Sequence, residues 1–144
     1  MKYGFQDNLC YEEIGELNGR PVYKLLEPLV YVDCNSRSIV IPEGFVTDLA
    51  SVPRLPIVYM MWGDRAHRPA VLHDYLYRKD SNPKVDKETA DQYFKKAMML
   101  TESSARWIIY YPMYLGVKLM GKASYGVLSI KDSFEDMVAK RVMK

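Results

Sequence analysis

His73, Asp74 and Tyr77 are the residues of this chain whose types and spacing could do chemistry. On a helix, residues i and i+4 share a face, so His73 and Tyr77 point the same way, and Asp74 projects about 100° round from His73. A titratable base on one surface with a carboxylate on the next suits proton abstraction beside a cation. Asp91 can complete the arrangement, because it precedes Phe94 and Met98 at the border of an apolar helical stripe. Two helices joined by a short loop run antiparallel, so their facing residues meet. His73 and Asp91 are therefore expected to form an imidazole–carboxylate pair, with Tyr77 donating to the same carboxylate. Such an aspartate fixes the imidazole tautomer and supports the cation formed on proton uptake. Asp48, in the segment TDLASVP, is a loop carboxylate that could begin a calcium site together with Asp74, since hard cations take carboxylate and carbonyl oxygens. Taken singly, each residue also has a structural reading: a satisfied core histidine, a surface charge at Asp74, a first-turn acid, a turn cap, a packing tyrosine. The joint pattern is what points to chemistry. His67 lies about 120° round from His73, so the two do not share a face as zinc ligands.

The elements that must position these groups follow from period and punctuation. Residues 20–46 read as β-rich, with short β-branched or aromatic runs at 22–25, 29–32 and 38–41. Asp33, Asn35 and Ser36 carry turn chemistry between the last two runs and predict a hairpin. Residues 47–64, with Pro53, Pro56 and Gly63, read as a loop. From residue 65 to 143 the chain reads helical. Pro69 suits the first turn of a helix ending near Arg78, and Asp86 is an N-cap for a second helix through Leu100. A third helix is expected over about 104–120, apolar nearly all round and kinked at Pro112. A last helix or tail covers 127–143. The fold expectation is a single α+β domain over 1–144: a small N-terminal β-hairpin region packed on a bundle of three or four helices.

Composition narrows the class. With 144 residues, 49% of them hydrophobic and 26% charged, the chain has the make-up of a soluble globular domain with a usable core. A net charge of +2 with scattered basic residues gives no footprint for nucleic acid. Twelve tyrosines and nine methionines are many for this length and suit a core and adaptable surfaces. Cys10 and Cys34 fit no zinc-ribbon or CxxC spacing; they are read as two reduced thiols, with a disulfide between them as the alternative. The N-terminal residues MKYGFQDNLCYEE hold no signal-peptide apolar run. The longest apolar stretch, 107–117, is interrupted by Pro112 and Gly116 and is shorter than the roughly 20 residues that span a bilayer.

Two resemblances add to this reading. The segments GFVTDLASVPR at 44–54 and AVLHDYLY at 70–77, followed by Ala90-Asp91 and a late Gly121, resemble an uncharacterised bacteriophage and prophage family over about residues 29–126. This resemblance implies a phage origin, often a place among tail or lysis genes and so in the virion, and no demonstrated activity; synthesis in the host cytoplasm is expected from the missing signal-peptide and bilayer-spanning runs. More distantly, His73-Asp74-x-x-Tyr77 with Asp91 on the next helix is similar to the paired active-site helices of the secreted phospholipase A2 superfamily, in its bacterial and fungal branch. That similarity implies His73 as general base, Asp91 as its orienter, and calcium held by Asp48, the Leu49 carbonyl and Asp74. The chain departs from that family where cysteines flank the histidine helix, since Pro69 and Ala70 stand there, and its loop is not glycine-rich.

The expected function is a phage-encoded, calcium-dependent, phospholipase A2-like lipid esterase using a His–Asp dyad, acting in cell entry or lysis. Its catalytic set is His73, Asp91 and Tyr77, and its partner is a phospholipid surface. The alternative from another class is a non-enzymatic tail or adaptor protein of the virion, whose partners are other virion proteins.

Overall fold

The structure is a computed structural model that describes residues 3–49 and 67–101. Six strands are followed by two helices: β1 (Gly4–Phe5), β2 (Tyr11–Leu17), β3 (Arg20–Leu25), β4 (Leu29–Val32), β5 (Ser38–Ile41), β6 (Val46–Thr47), α1 (His67–Tyr77) and α2 (Lys87–Thr101). The strands form two antiparallel three-stranded sheets, ordered β1-β4-β5 and β2-β3-β6.

The hairpin expected from the turn residues is present. β4 pairs with β5 from Leu29↔Ile41 to Val32↔Ser38. Asp33 makes the turn, its Oδ1 accepting the backbone amides of Asn35 (2.8 Å) and Arg37 (2.9 Å). Along β5 the period of two puts Ile39 and Ile41 inward and Ser38 and Val40 outward. A second hairpin joins β2 to β3 through Asn18 and Gly19, whose φ values of 52° and 76° are those of a tight turn matched to strand twist. β6 then pairs with β3, Tyr23 opposite Thr47 and Lys24 opposite Val46.

Two of the expected helices are observed with bounds close to the predicted ones. Asp86 caps α2, its Oδ1 accepting the Thr89 amide at 2.7 Å. One core unites the sheets and helices: Leu25, Leu29, Tyr31, Ile39, Ile41 and Phe45 pack with Leu72, Leu76, Phe94 and Met98.

The expected architecture, a small hairpin region on a three- to four-helix bundle with phospholipase A2-like paired helices, is overturned. The described residues build two sheets and two helices, and strands outnumber helices. The β region begins at Gly4 and not near residue 20, because β2 was invisible to an apolar-alternation reading. Its sequence YEEIGEL is half-exposed or exposed throughout, and its ladder with β3 shifts register between Glu13 and Gly15. Backbone pairing with β3 holds it, together with Tyr11, which packs against the core and against Tyr23. The expected third helix (104–120), the last helix (127–143) and most of the loop (47–64) lie outside the described residues. Among the described residues no helix is long and apolar enough to cross a membrane.

Candidate functional site

α1 carries its polar residues on two faces, and each face meets a different element. On the face toward α2, His73 Nε2 lies 2.9 Å from Asp91 Oδ1, and the Tyr77 hydroxyl donates to the same oxygen at 2.5 Å. On the face toward the β2-β3-β6 sheet, Asp74 Oδ2 accepts the Thr47 hydroxyl at 2.5 Å, and Tyr11 OH lies 3.1 Å from His67 Nδ1. One helical turn further on, the Arg78 guanidinium stacks over the Phe45 ring at 5.2 Å. A helix pressed between a helix and a sheet needs little solvent face, and eight of its eleven residues are buried.

The first cluster is buried. His73 and Asp91 are each 2% exposed. The imidazole is held between two rings, Tyr77 at 4.0 Å and Phe94 at 5.1 Å. Burial pushes the Asp91 carboxyl up, but hydrogen bonds from His73, Lys87 and Tyr77 outweigh it, so its pKa lies below the ordinary carboxylate value. Asp91 is therefore ionised at neutral pH, and an ionised carboxylate only accepts. The hydrogen of the imidazole must then sit on Nε2, which leaves the lone pair of the neutral ring on Nδ1. This is the chemical content of the dyad: a fixed tautomer whose basic nitrogen is turned away from the carboxylate.

The second cluster is a loop tied to the helix. Thr47 Oγ1 donates to Asp74 and accepts the Leu49 amide at 3.0 Å. Leu49 adopts a φ of 54°, a left-handed conformation that costs a non-glycine residue roughly 1 kcal/mol or more. The Thr47–Leu49 segment is thus held against the helix one residue beyond the base. Asp48, half-buried, lies in that segment.

The structure brings together three of the expected site residues, His73, Asp91 and Tyr77, in one hydrogen-bonded group. It brings the Asp48–Leu49 loop beside Asp74 through Thr47. It does not gather three His, Cys, Asp or Glu side chains into a metal-holding group among the described residues. His67 turns to Tyr11. Cys10 and Cys34 are free thiols.

Sequence reasoning missed two participants. Lys87 Nζ donates to Asp91 Oδ2 at 2.6 Å, from the position four residues before it. That i, i+4 spacing was available in the sequence as a signal. Thr47 gave no comparable signal, because a turn-capping role explained it equally well. A further, partly buried tie, Tyr93 OH to Asp33 Oδ2 at 3.0 Å, joins α2 to the β4–β5 turn and fixes the helix that carries Asp91.

A family model described as "Protein of unknown function (DUF1353)" matches residues 23–117. No curated protein and no solved structure matches the chain.

Proposed function

The chain belongs to this DUF1353 family, and we propose that it is a hydrolase of carboxylic esters, phage-encoded and acting on phospholipid, with His73 as its general base. The observation that supports this reading is the buried His73–Asp91 pair, 2.9 Å apart, with Tyr77 on the same carboxylate oxygen. Asp91 fixes the Nε2–H tautomer, so Nδ1 takes a proton from water as its oxygen bonds to the ester carbonyl carbon. When the tetrahedral species collapses, the carbon–alkoxide bond breaks and the same proton passes from Nδ1 to the leaving oxygen. Positioned acid–base catalysis of this kind contributes about 10²- to 10⁴-fold.

Asp48, the Leu49 carbonyl and Asp74 offer hard oxygen donors, the type calcium takes, so the donor chemistry fits that ion. Calcium held there would supply positive charge for the developing oxyanion. The chain's own part is to hold that loop against α1, which Thr47 does through Asp74 and the Leu49 amide.

The burial of His73 favours a second reading, a virion structural or adaptor protein in which the same network only ties α1 to α2. Fatty-acid release from mixed phosphatidylcholine and phosphatidylglycerol vesicles separates the two. The hydrolase reading expects release by the wild-type chain at millimolar calcium, weakened by Asp48→Asn and by Asp74→Asn, with calorimetry showing the matching loss of calcium binding. A wild-type chain that neither binds calcium nor releases fatty acid decides for the structural reading.

A further inference from the structure

Lys87 stands where helix physics gives a lysine least reason to be. It is the first residue of α2, at the positive end of the helix dipole, where a cation is disfavoured. Its partner Asp91 follows at i+4, and a cation preceding its anion is the poorer order for helix stability. As a surface pair this arrangement would be expected to contribute little. Yet the contact is short, 2.6 Å, and its acceptor is a carboxylate with only 3% of its side chain exposed, whereas Lys87 keeps 20%. The ammonium also lies 5.9 Å from the Tyr77 ring centre, so one side chain touches two members of the site.

The geometry at Asp91 divides its two oxygens by task. Oδ1 receives both His73 Nε2 and the Tyr77 hydroxyl, and Oδ2 receives Lys87. A carboxylate turns about its last bond with a broad, roughly two-fold preference, so an oxygen left without a donor would let the group swing. A buried carboxylate also needs a counter-charge, and among the described residues the permanent cation in contact with Asp91 is the Lys87 ammonium. We infer that Lys87 is the positioning residue of the dyad: it clamps Oδ2 and balances the carboxylate charge, which keeps Oδ1 on the imidazole and holds His73 in its Nε2–H tautomer. The role of the dyad in ester hydrolysis rests on the function proposed above, but the clamp does not need it.

The test uses the full chain and reads the imidazole directly. The sequence has two histidines, so a His67→Gln background leaves His73 as the single imidazole in a 1H–15N spectrum. The parent should show an Nε2-bound proton protected from exchange with water. Lys87→Met should shift that resonance and speed its exchange tenfold or more, and Lys87→Arg, which keeps charge and donor, should restore both. Lys87→Gln replaces Lys87→Met if circular dichroism shows the latter unfolded. On vesicle substrate, kcat should fall on the order of 10- to 100-fold with KM little changed, the range in which outer partners act on the groups they orient. A Lys87→Met spectrum and exchange rate equal to the parent's would overturn the clamp, as would an arginine variant no better than methionine. An altered spectrum in a chain whose parent hydrolyses no ester supports the clamp and sinks the hydrolase reading instead.

Discussion

Replacing Tyr77 by Phe removes one oxygen atom from the centre of the site and leaves everything else in place. The ring keeps its contact with His73 at 4.0 Å, and no large cavity opens. What is lost is a hydrogen bond of 2.5 Å to an ionised, buried carboxylate. Hydrogen bonds to charged groups contribute about 1.5–3 kcal/mol, roughly twice a neutral one. Asp91 is not orphaned, because His73 and Lys87 still donate to it, so the loss should stay below the roughly 3–5 kcal/mol of a broken buried ion pair. At about 2.1 cal/mol/K per residue, 144 residues unfold with an entropy of roughly 0.3 kcal/mol/K, and the expected fall in Tm is about 5–10 °C. Tyr75→Phe is the control. Among the described residues its hydroxyl meets the neutral backbone of Asn82, at 3.1 and 3.4 Å, and its loss should cost about 0.5–1.5 kcal/mol. Calorimetry or thermal circular dichroism reads both. With one fewer donor holding its charge, the Asp91 carboxyl should titrate higher, so acid unfolding of Tyr77→Phe should begin at higher pH. A Tyr77→Phe variant that melts no lower than Tyr75→Phe, with an unmoved acid limb, would refute the placement of the hydroxyl on the carboxylate.

Three further outcomes follow from the same contacts. Burial opposes ionisation of Asp91 and Asp33, but hydrogen bonds outweigh it, from His73, Lys87 and Tyr77 in the first case and from the Arg37 amide, Tyr93 and the Asn35 amide in the second. A folded pKa below the unfolded value of 3.8 gives stability that is complete above that value and is lost as pH falls through the folded pKa. Denaturation titrations should therefore show flat stability near neutrality and a steep loss below about pH 4. At the other end, burial, reinforced by Tyr93, Asp33 and Cys34, raises the Tyr31 pKa from 10.0 to about 12. Its contribution is complete below pH 10 and lost between there and about 12, so phenolate absorbance and unfolding should rise together in that interval. Thr47→Val keeps the shape but leaves the buried Leu49 amide and Asp74 without the hydroxyl, and should cost about 2–4 kcal/mol in urea denaturation; a loss under roughly 0.5 kcal/mol would mean that the loop is not held through Thr47.

The site was more legible in the sequence than the fold around it. The contact between His73 and Asp91 was accessible because it needs only helical periodicity and a short connection, both of which are local. Tyr77 followed from the same arithmetic. Lys87 was missed because a lysine at a helix start reads as an exposed charge until its acceptor is known to be buried. The architecture was misjudged for a different reason. Reading residues 65–143 as helical suggests a bundle of three or four helices, whereas α1 lies between α2 and the β2-β3-β6 sheet. β2 carries Glu12, Glu13 and Glu16 outward and is defined by its ladder with β3, a non-local property. The Asn18-Gly19 pair was the local clue to that hairpin, since an Asn-Gly step supplies two residues that tolerate positive φ.

The central claim is that His73 is a base and not only a buried polar residue tying two helices. The most direct measurement pairs fatty-acid release with melting temperature for the wild-type chain and His73→Gln. If His73 is the base, wild type releases fatty acid from the vesicles at millimolar calcium, and His73→Gln loses at least 10²-fold of that rate while remaining folded. A wild type inert on phospholipid, beside a His73→Gln variant that melts several degrees lower because Asp91 and Tyr77 have lost their buried partner, would contradict the claim and leave the network a structural one.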